Sequence, residues 1–297
     1  MKIRFINQAA GALAFSALLL TTACKKDVNK ASQDSSAASL SDSSTVADNA
    51  YNDVLVNAFY GYTDEMNNDA PGKLHNGGTT TNSTNEVNSL ATLSCAQYTL
   101  VTANGGGYPK TLTLDFGADG CSGSIDGLLR KGKIVYTFSG PLLVPGTTIS
   151  ATFDQYYVNG YGLQGSCSIT NNTTQNTPSF ALQTTNGIFT FPDLTNFHYS
   201  GNKTIAMTAG SNTPSDLSDD VYAITGNSNF SASDGSSLVC NITTPLTKAF
   251  ACPYISAGVI SFTYDQDLKG TIDFGDGTCD HTASLVVGSI SRDINLR

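Results

Sequence analysis

Glutamate is almost missing from this 297-residue chain. Glu65 and Glu86 are the only two among 24 acidic residues, and the other 22 are Asp. Charged residues make up 13 %, against a usual share of about 25 %. Tryptophan is absent. Ser, Thr, Asn and Gly fill the polar positions, and these residues make strand faces and turns rather than long helices. The formal charge is −9 and grows by two negative units if Lys2 and Arg4 leave with a signal segment. An acidic chain without a basic patch excludes nucleic acid as a partner.

Several chemistries lack their motifs. No Gly-x-Ser-x-Gly elbow presents a hydrolase nucleophile. No Cys-x-x-Cys and no nearby pair of histidines offers a zinc site; His75, His198 and His281 are scattered. Asp273, Asp276 and Asp280 cluster near one turn, but the EF-hand spacing and its bidentate Glu are missing, and a tight Asp/Gly turn needs no calcium. No catalytic residue, metal or cofactor is therefore assigned. A glycosidase pair of carboxylates leaves no spacing signature among 22 scattered Asp, so a glycan-active enzyme stays open as one reading.

No apolar run is long enough for a spanning helix, which needs about 20 residues. The run Ala9 to Leu20 follows Lys2 and Arg4 and has the layout of a signal peptide. It ends in Leu20-Thr-Thr-Ala-Cys24, which resembles the bacterial lipobox. That resemblance implies removal of residues 1–23 and lipidation of Cys24, with two or three acyl chains as a stable anchor. Lys25, rather than Asp, at the next position implies the outer membrane, with the periplasmic or surface face open.

One stretch appears twice. Thr113-Leu-Asp-Phe-Gly-Ala-Asp-Gly-Cys121 and Thr271-Ile-Asp-Phe-Gly-Asp-Gly-Thr-Cys279 each read as a strand, a Gly/Asp turn and a cysteine. Cys95 and Cys252 precede them at similar distances, so the pattern is a degenerate duplication closed by Cys95–Cys121 and Cys252–Cys279. Beyond Cys24 the cysteine count is even, as in disulfide-bonded exported proteins. The remaining two predict a third bond, Cys167–Cys240.

Residues 24–45 are rich in Ser, Ala and Asp without apolar periodicity, which predicts a flexible tether. Val46, Ala50, Val54, Ala58, Tyr62 and Met66 then step by four, predicting an amphipathic helix over 46–66 with Ser44 or Thr45 as its cap. After an Asn/Gly-rich loop the chain is almost all short strands. Asn159-Gly160, Asn186-Gly187 and Asp234-Gly235 predict two-residue hairpin turns, with Gly288-Ser289 as a weaker fourth. No βαβ pattern appears. The expected fold is a single domain over 46–297: an antiparallel β-sheet sandwich or partial barrel built of hairpins, plus the helix. Ser211–Asp220 is the expected long connection between its halves.

From about 95 to 297 the chain resembles outer-membrane lipoproteins of the Bacteroidota type. Lys131-Gly-Lys-Ile-Val-Tyr-Thr-Phe-Ser-Gly140, Phe153-Asp-Gln-Tyr-Tyr-Val-Asn-Gly160 and Asp219-Asp-Val-Tyr-Ala-Ile-Thr-Gly226 carry the likeness, together with the second duplicated stretch. The resemblance implies location and class but no chemistry. The sequence reading is a lipid-anchored envelope protein, foremost a non-enzymatic binding or structural module with a glycan or an envelope protein as partner. The alternatives are a carrier of lipid or another apolar ligand in a half-barrel covered by the helix, and a glycan-active enzyme. Tyr156, Tyr157 and Tyr161, and Phe197 and Tyr199 beside His198, are weighed as packing pairs before sugar platforms.

Overall fold

The computed structural model describes residues 21–65, 75–76, 95–103, 107–123, 127–174, 177–213 and 217–296. The expected signal segment, save residues 21–23, and the side chain of Cys24 lie outside the described residues.

One helix, α1 (Thr21–Glu65), precedes fifteen strands. They are β1 (His75–Asn76), β2 (Gln97–Thr102), β3 (Lys110–Asp115), β4 (Cys121–Ser122), β5 (Leu129–Phe138), β6 (Thr148–Val158), β7 (Tyr161–Asn171) and β8 (Ser179–Thr190). Then come β9 (Asn196–Ala209), β10 (Val221–Ala232), β11 (Ser237–Ala249), β12 (Ala257–Tyr264), β13 (Leu268–Asp276), β14 (Thr282–Val287) and β15 (Ile290–Asn295). All pair antiparallel in one open sheet whose strands neighbour each other in chain order, with the short β4 off this path against β5. A meander needs only local connections, and the turn-rich sequence supplies them. The 211–220 connection accordingly joins the neighbours β9 and β10 rather than two halves of a sandwich.

Alternation along each strand separates two faces. The inward face is apolar: Leu112, Leu114, Ile134, Tyr136, Ile149, Ile169, Leu182, Phe230, Leu238, Ile260, Ile272 and Leu285 are all buried. The outward face carries hydroxyls and amides. The register sets one such residue from each strand in a row, from Thr111 through Thr137, Ser150, Ser168, Gln183, Asn202, Asn227, Asn241 and Ser261 to Thr271.

α1 crosses this sheet, meeting new strands turn by turn. Asp34 reaches the β14–β15 turn, Ser44 lies against Cys240 of β11, Tyr51 bonds β7 and β8, and Gly61 abuts Leu112 and Leu114 of β3. The sheet curls around the helix. β15 and the aromatic residues Tyr161 and Phe191 line the same small cleft beside α1, although eight strand steps of about 4.8 Å would hold β7 and β15 roughly 38 Å apart on a flat sheet.

The expected tether is the first half of this helix. Its inward side is made of small and polar residues: Ala37, Ala38, Ser41, Ser44, Thr45 and Ala47 are buried there with Leu40. Ser41, Ser44 and Thr45 return their hydroxyls to carbonyls three or four residues back, at 2.8, 2.9 and 3.0 Å. Each hydroxyl is thus satisfied inside the helix, and small side chains let its backbone lie close to the sheet. Ser44 and Thr45 are mid-helix residues, not caps.

The Asn159-Gly160 turn has φ of 50° and 84°, the two positive values its type requires. Gly288 is positive at 56° while Ser289 is not, the type II′ pattern. Asp234-Gly235 sits in a wider loop between β10 and β11, where Asp234 accepts the Ser236 amide at 2.9 Å. Asn186-Gly187 is no turn at all. β8 continues through it with a register shift, and Tyr51 of α1 donates its hydroxyl to Gln164 O at 2.9 Å there. A Cβ on Gly187 would stand 2.7 Å from Tyr199 O and 2.8 Å from the Tyr51 hydroxyl. The Asn-Gly pair is a bulge that admits the helix.

The two duplicated stretches share their local structure. Asp115 accepts the Gly117 amide and Asp273 the Gly275 amide, each at 2.9 Å. Phe116 and Phe274 are both buried between them. The copies lie near opposite edges of the sheet, on β3 and on β13.

Candidate functional site

The structure joins Cys95 to Cys121 and Cys252 to Cys279. Cys167 and Cys240 are free and buried, which corrects the expected third bond. Both do face inward, on one row: Cys167, Thr184, Gly201, Ser228 and Cys240 stand opposite one another across β7 to β11. Four strand steps separate them by roughly 19 Å along the sheet, where a disulfide needs Cα atoms within about 7 Å. Cys167 Sγ lies 3.4 Å from Thr184 Oγ1, and Cys240 Sγ lies 3.9 Å from Ser44 Oγ of α1. Burial pushes Cys167 up to about 11 and Cys240 up to about 12, so both stay protonated at neutral pH. With Cys24 replaced by alanine, the unreduced native chain is expected to give no reaction with a thiol reagent. In denaturant it should give two equivalents; zero there would restore a third disulfide.

The charged groups on the inward face are few and paired. Asp53 of α1 takes Arg130 of β5 in a two-pronged pair, Oδ2 from Nε at 3.0 Å and Oδ1 from Nη2 at 2.7 Å. Asn57 donates to the same Oδ2 at 2.9 Å, and the Tyr156 hydroxyl stands 3.5 Å from it. Arg130 is 1 % exposed, so this guanidinium has left water entirely. One turn and a half earlier, Asp48 pairs with Lys203 of β9 at 2.8 Å. Tyr199 donates its hydroxyl to Asp48 Oδ1, and Ser228 of β10 donates to Oδ2 at 3.3 Å. Burial, then the neighbouring aspartate, drives the Tyr156 and Tyr199 hydroxyls far above the usual tyrosine range, so both stay protonated and can donate to those carboxylates, while Tyr156 also accepts from Asn57 Nδ2 at 3.4 Å.

Two further aspartates extend the series toward the helix N-terminus. Asp34 accepts the amide and hydroxyl of Ser289 at 2.8 and 2.7 Å, and these bonds hold its carboxyl below the usual carboxylate range. Asp42 pairs with Arg292 of β15. Four carboxylates on one helix thus select four places on the sheet. Aspartate suits this better than glutamate, because the shorter side chain holds the helix a methylene closer.

Beside Asp42, Asn49, Tyr161, Phe191 and residues 292–296 border a cleft of about 280 Å³, into which the Asp42–Arg292 pair also opens. Asp42 Oδ1 is buried without a hydrogen-bond partner among the described residues.

The remaining sequence candidates separate. Asp273, Asp276 and Asp280 each accept an amide two residues ahead, from Gly275, Thr278 and Thr282 at 2.9, 3.2 and 2.9 Å. Those bonds are turn chemistry; the Thr278 hydroxyl and amide lower Asp276, and the Thr282 amide and hydroxyl lower Asp280. No group of three metal-binding side chains forms among the described residues. His198 stands opposite Ile188 and Ser231, and His281 lies beside the Tyr254 ring at 6.3 Å. Tyr156 and Tyr199 are core residues, 1 % and 4 % exposed. Tyr161 stacks on Phe189 at 5.4 Å and Phe197 on Phe230 at 4.6 Å. Sequence reasoning passed over Asp53, Arg130 and Lys203, and read Asp48 only as an acidic residue of a first helical turn, whereas α1 begins at Thr21 and Asp48 lies mid-helix. Lys203 left a trace: it and Lys248 are the only charged residues in strands β7 to β12.

Comparison with known proteins gives no relative: no family model, no curated protein and no solved structure matches the chain.

Proposed function

We propose that the chain is an exported protein lipidated at Cys24 and held at the outer membrane, in the class of Bacteroidota-type lipoproteins. Its β domain is a non-enzymatic binding or structural module of the envelope. The observation that carries this reading is the continuity of α1. The helix packed across the sheet runs back without a break to Thr21, three residues before Cys24. Cys24 lies ten residues ahead of Asp34, about 15 Å of helix. The anchor and the domain therefore form one rigid body, with residues 29–33 exposed between them. Such a stalk holds the β14–β15 turn toward the membrane and presents the sheet sideways. A carrier of an apolar ligand would need the inward face, which α1 fills.

Expression of the full chain and of Cys24→Ala in a Gram-negative host, followed by palmitate labelling and membrane fractionation, tests the anchor. The full chain should label and sediment with the outer membrane, and the variant should do neither. A variant that still labels and sediments would remove the anchor from Cys24.

A further inference from the structure

The outward face of the sheet has a chemistry that solubility alone does not require. Surfaces usually mix charges of both signs. Strands β7 to β12 carry only two charged side chains, and neither faces this surface: Lys203 points inward to Asp48, and Lys248 donates to Cys252 O at the end of β11. Between them lies the centre of the outward row. Ser168, Gln183, Asn202, Asn227 and Asn241 stand side by side on five consecutive strands, each exposed, spaced by about 4.8 Å. None of the four amides makes a side-chain hydrogen bond among the described residues. Every amide offers two donors and an acceptor in the same direction.

The row is not flat. Two residues along the strands, Ala181 stands between Thr170 on β7 and Thr204 on β9. Its single methyl leaves a shallow groove of about 290 Å³, walled by those two threonines with Ser168, Gln183 and Asn202; Leu182 and Lys203 also border it, with the Lys203 ammonium turned inward to Asp48. The groove is bounded by hydroxyls and amides and floored by a methyl and backbone.

We propose that this face binds a neutral polysaccharide, with one sugar ring seated over Ala181 and the chain continuing across the strands along the amide row. This deepens the reading of the domain as an envelope binding module and rests on it. Charge selects the ligand class. A polyanionic glycan has no cation to meet on β7 to β12 and would approach a chain of charge −9. A neutral sugar presents alternating hydroxyl donors and acceptors, which mixed amide and hydroxyl side chains match in both senses. With no ion pair involved, binding should not change between low and high salt.

The test is affinity electrophoresis of the full chain in mild detergent, through gels containing laminarin, xyloglucan, galactomannan or dextran, with alginate as the anionic comparison. At least one neutral polymer should retard the protein, and alginate should not. Ala181→Tyr fills the groove and should abolish the retardation. Asn202→Ala should weaken it roughly tenfold, the usual effect of losing one exposed-to-ligand hydrogen bond. Ser284→Ala, on β14, should leave it intact. Both groove positions face outward, so melting temperatures near that of the parent chain establish that the variants fold. No retardation by any of the four neutral polymers would overturn the proposal, as would equal retardation of Ala181→Tyr. So would a concentration-dependent dimer that Ala181→Tyr abolishes, since a second copy would then be the occupant. Loss of glycan binding in a chain that still labels at Cys24 removes the ligand and leaves the anchored module. Failure to label removes the anchor and leaves the ligand.

Discussion

Arg130→Met is expected to lower unfolding stability by about 3–5 kcal/mol, because it leaves the Asp53 carboxylate facing the core without its cation. Arg130 is 1 % exposed and gives Asp53 both Nε and Nη2, so nearby water does not replace it easily. The partner variant Asp53→Leu strands a guanidinium in the same place and should cost as much. Combining the two removes both charges and puts apolar volume in the gap. Since exchanging a buried pair for packed hydrophobic residues is often neutral or better, the double variant should recover most of the loss. Urea titration reads the result as a shift of the midpoint at unchanged slope. A single variant costing under about 1 kcal/mol would mean that the pair is hydrated and does not hold the helix in register.

That pair also explains which parts of the fold were legible in the sequence. Turn chemistry is local, so Asn159-Gly160 announced its hairpin correctly. Asn186-Gly187 carries the same local signal and fails, because the deciding contact comes from Tyr51, 135 residues upstream in the chain. The bridges Cys95–Cys121 and Cys252–Cys279 follow from a repeat visible in the letters. In the letters Cys167 and Cys240 pair only as the two left over, but their separation depends on how many strands intervene. That count was available only once the meander order was known.

The helix shows the same limit more sharply. Its second half is apolar because β3, β5 and β8 offer it large side chains: Gly61 abuts Leu112 and Leu114, Tyr62 meets Phe138 and Phe59 meets Phe180. Its first half reaches the sheet through small residues and aspartates, with Ser44 against Cys240 and Asp34 on the β14–β15 turn. A periodicity search looks for hydrophobicity and finds none there. The abundance of Ser, Thr, Asn and Gly pointed away from long helices, yet in this helix Asp34, Asp42, Asp48 and Asp53 bring it onto the sheet.

Deleting residues 29–45 therefore separates two descriptions of this segment. A tether shortened by that much would leave the domain as stable as before. A helix that covers β11, β14 and β15 would leave Leu285, Val287 and Ile294 facing water, besides removing buried Leu40, Ala37 and Ala38. At about 1.5–3 kcal/mol for each large apolar side chain, the loss should exceed roughly 4 kcal/mol. The free cysteines report where it falls. Cys240 lies under Ser44 and should become reactive toward a thiol reagent in the native buffer. Cys167 lies on β7, next to the strands held by Tyr51, and should stay protected as long as residues 46–65 remain docked. If both thiols stay protected and the unfolding midpoint does not move, the first half of α1 adds reach and nothing more. If only Cys240 opens, the segment written in Ser, Ala and Asp is half of the core, and the stalk and the fold are the same element.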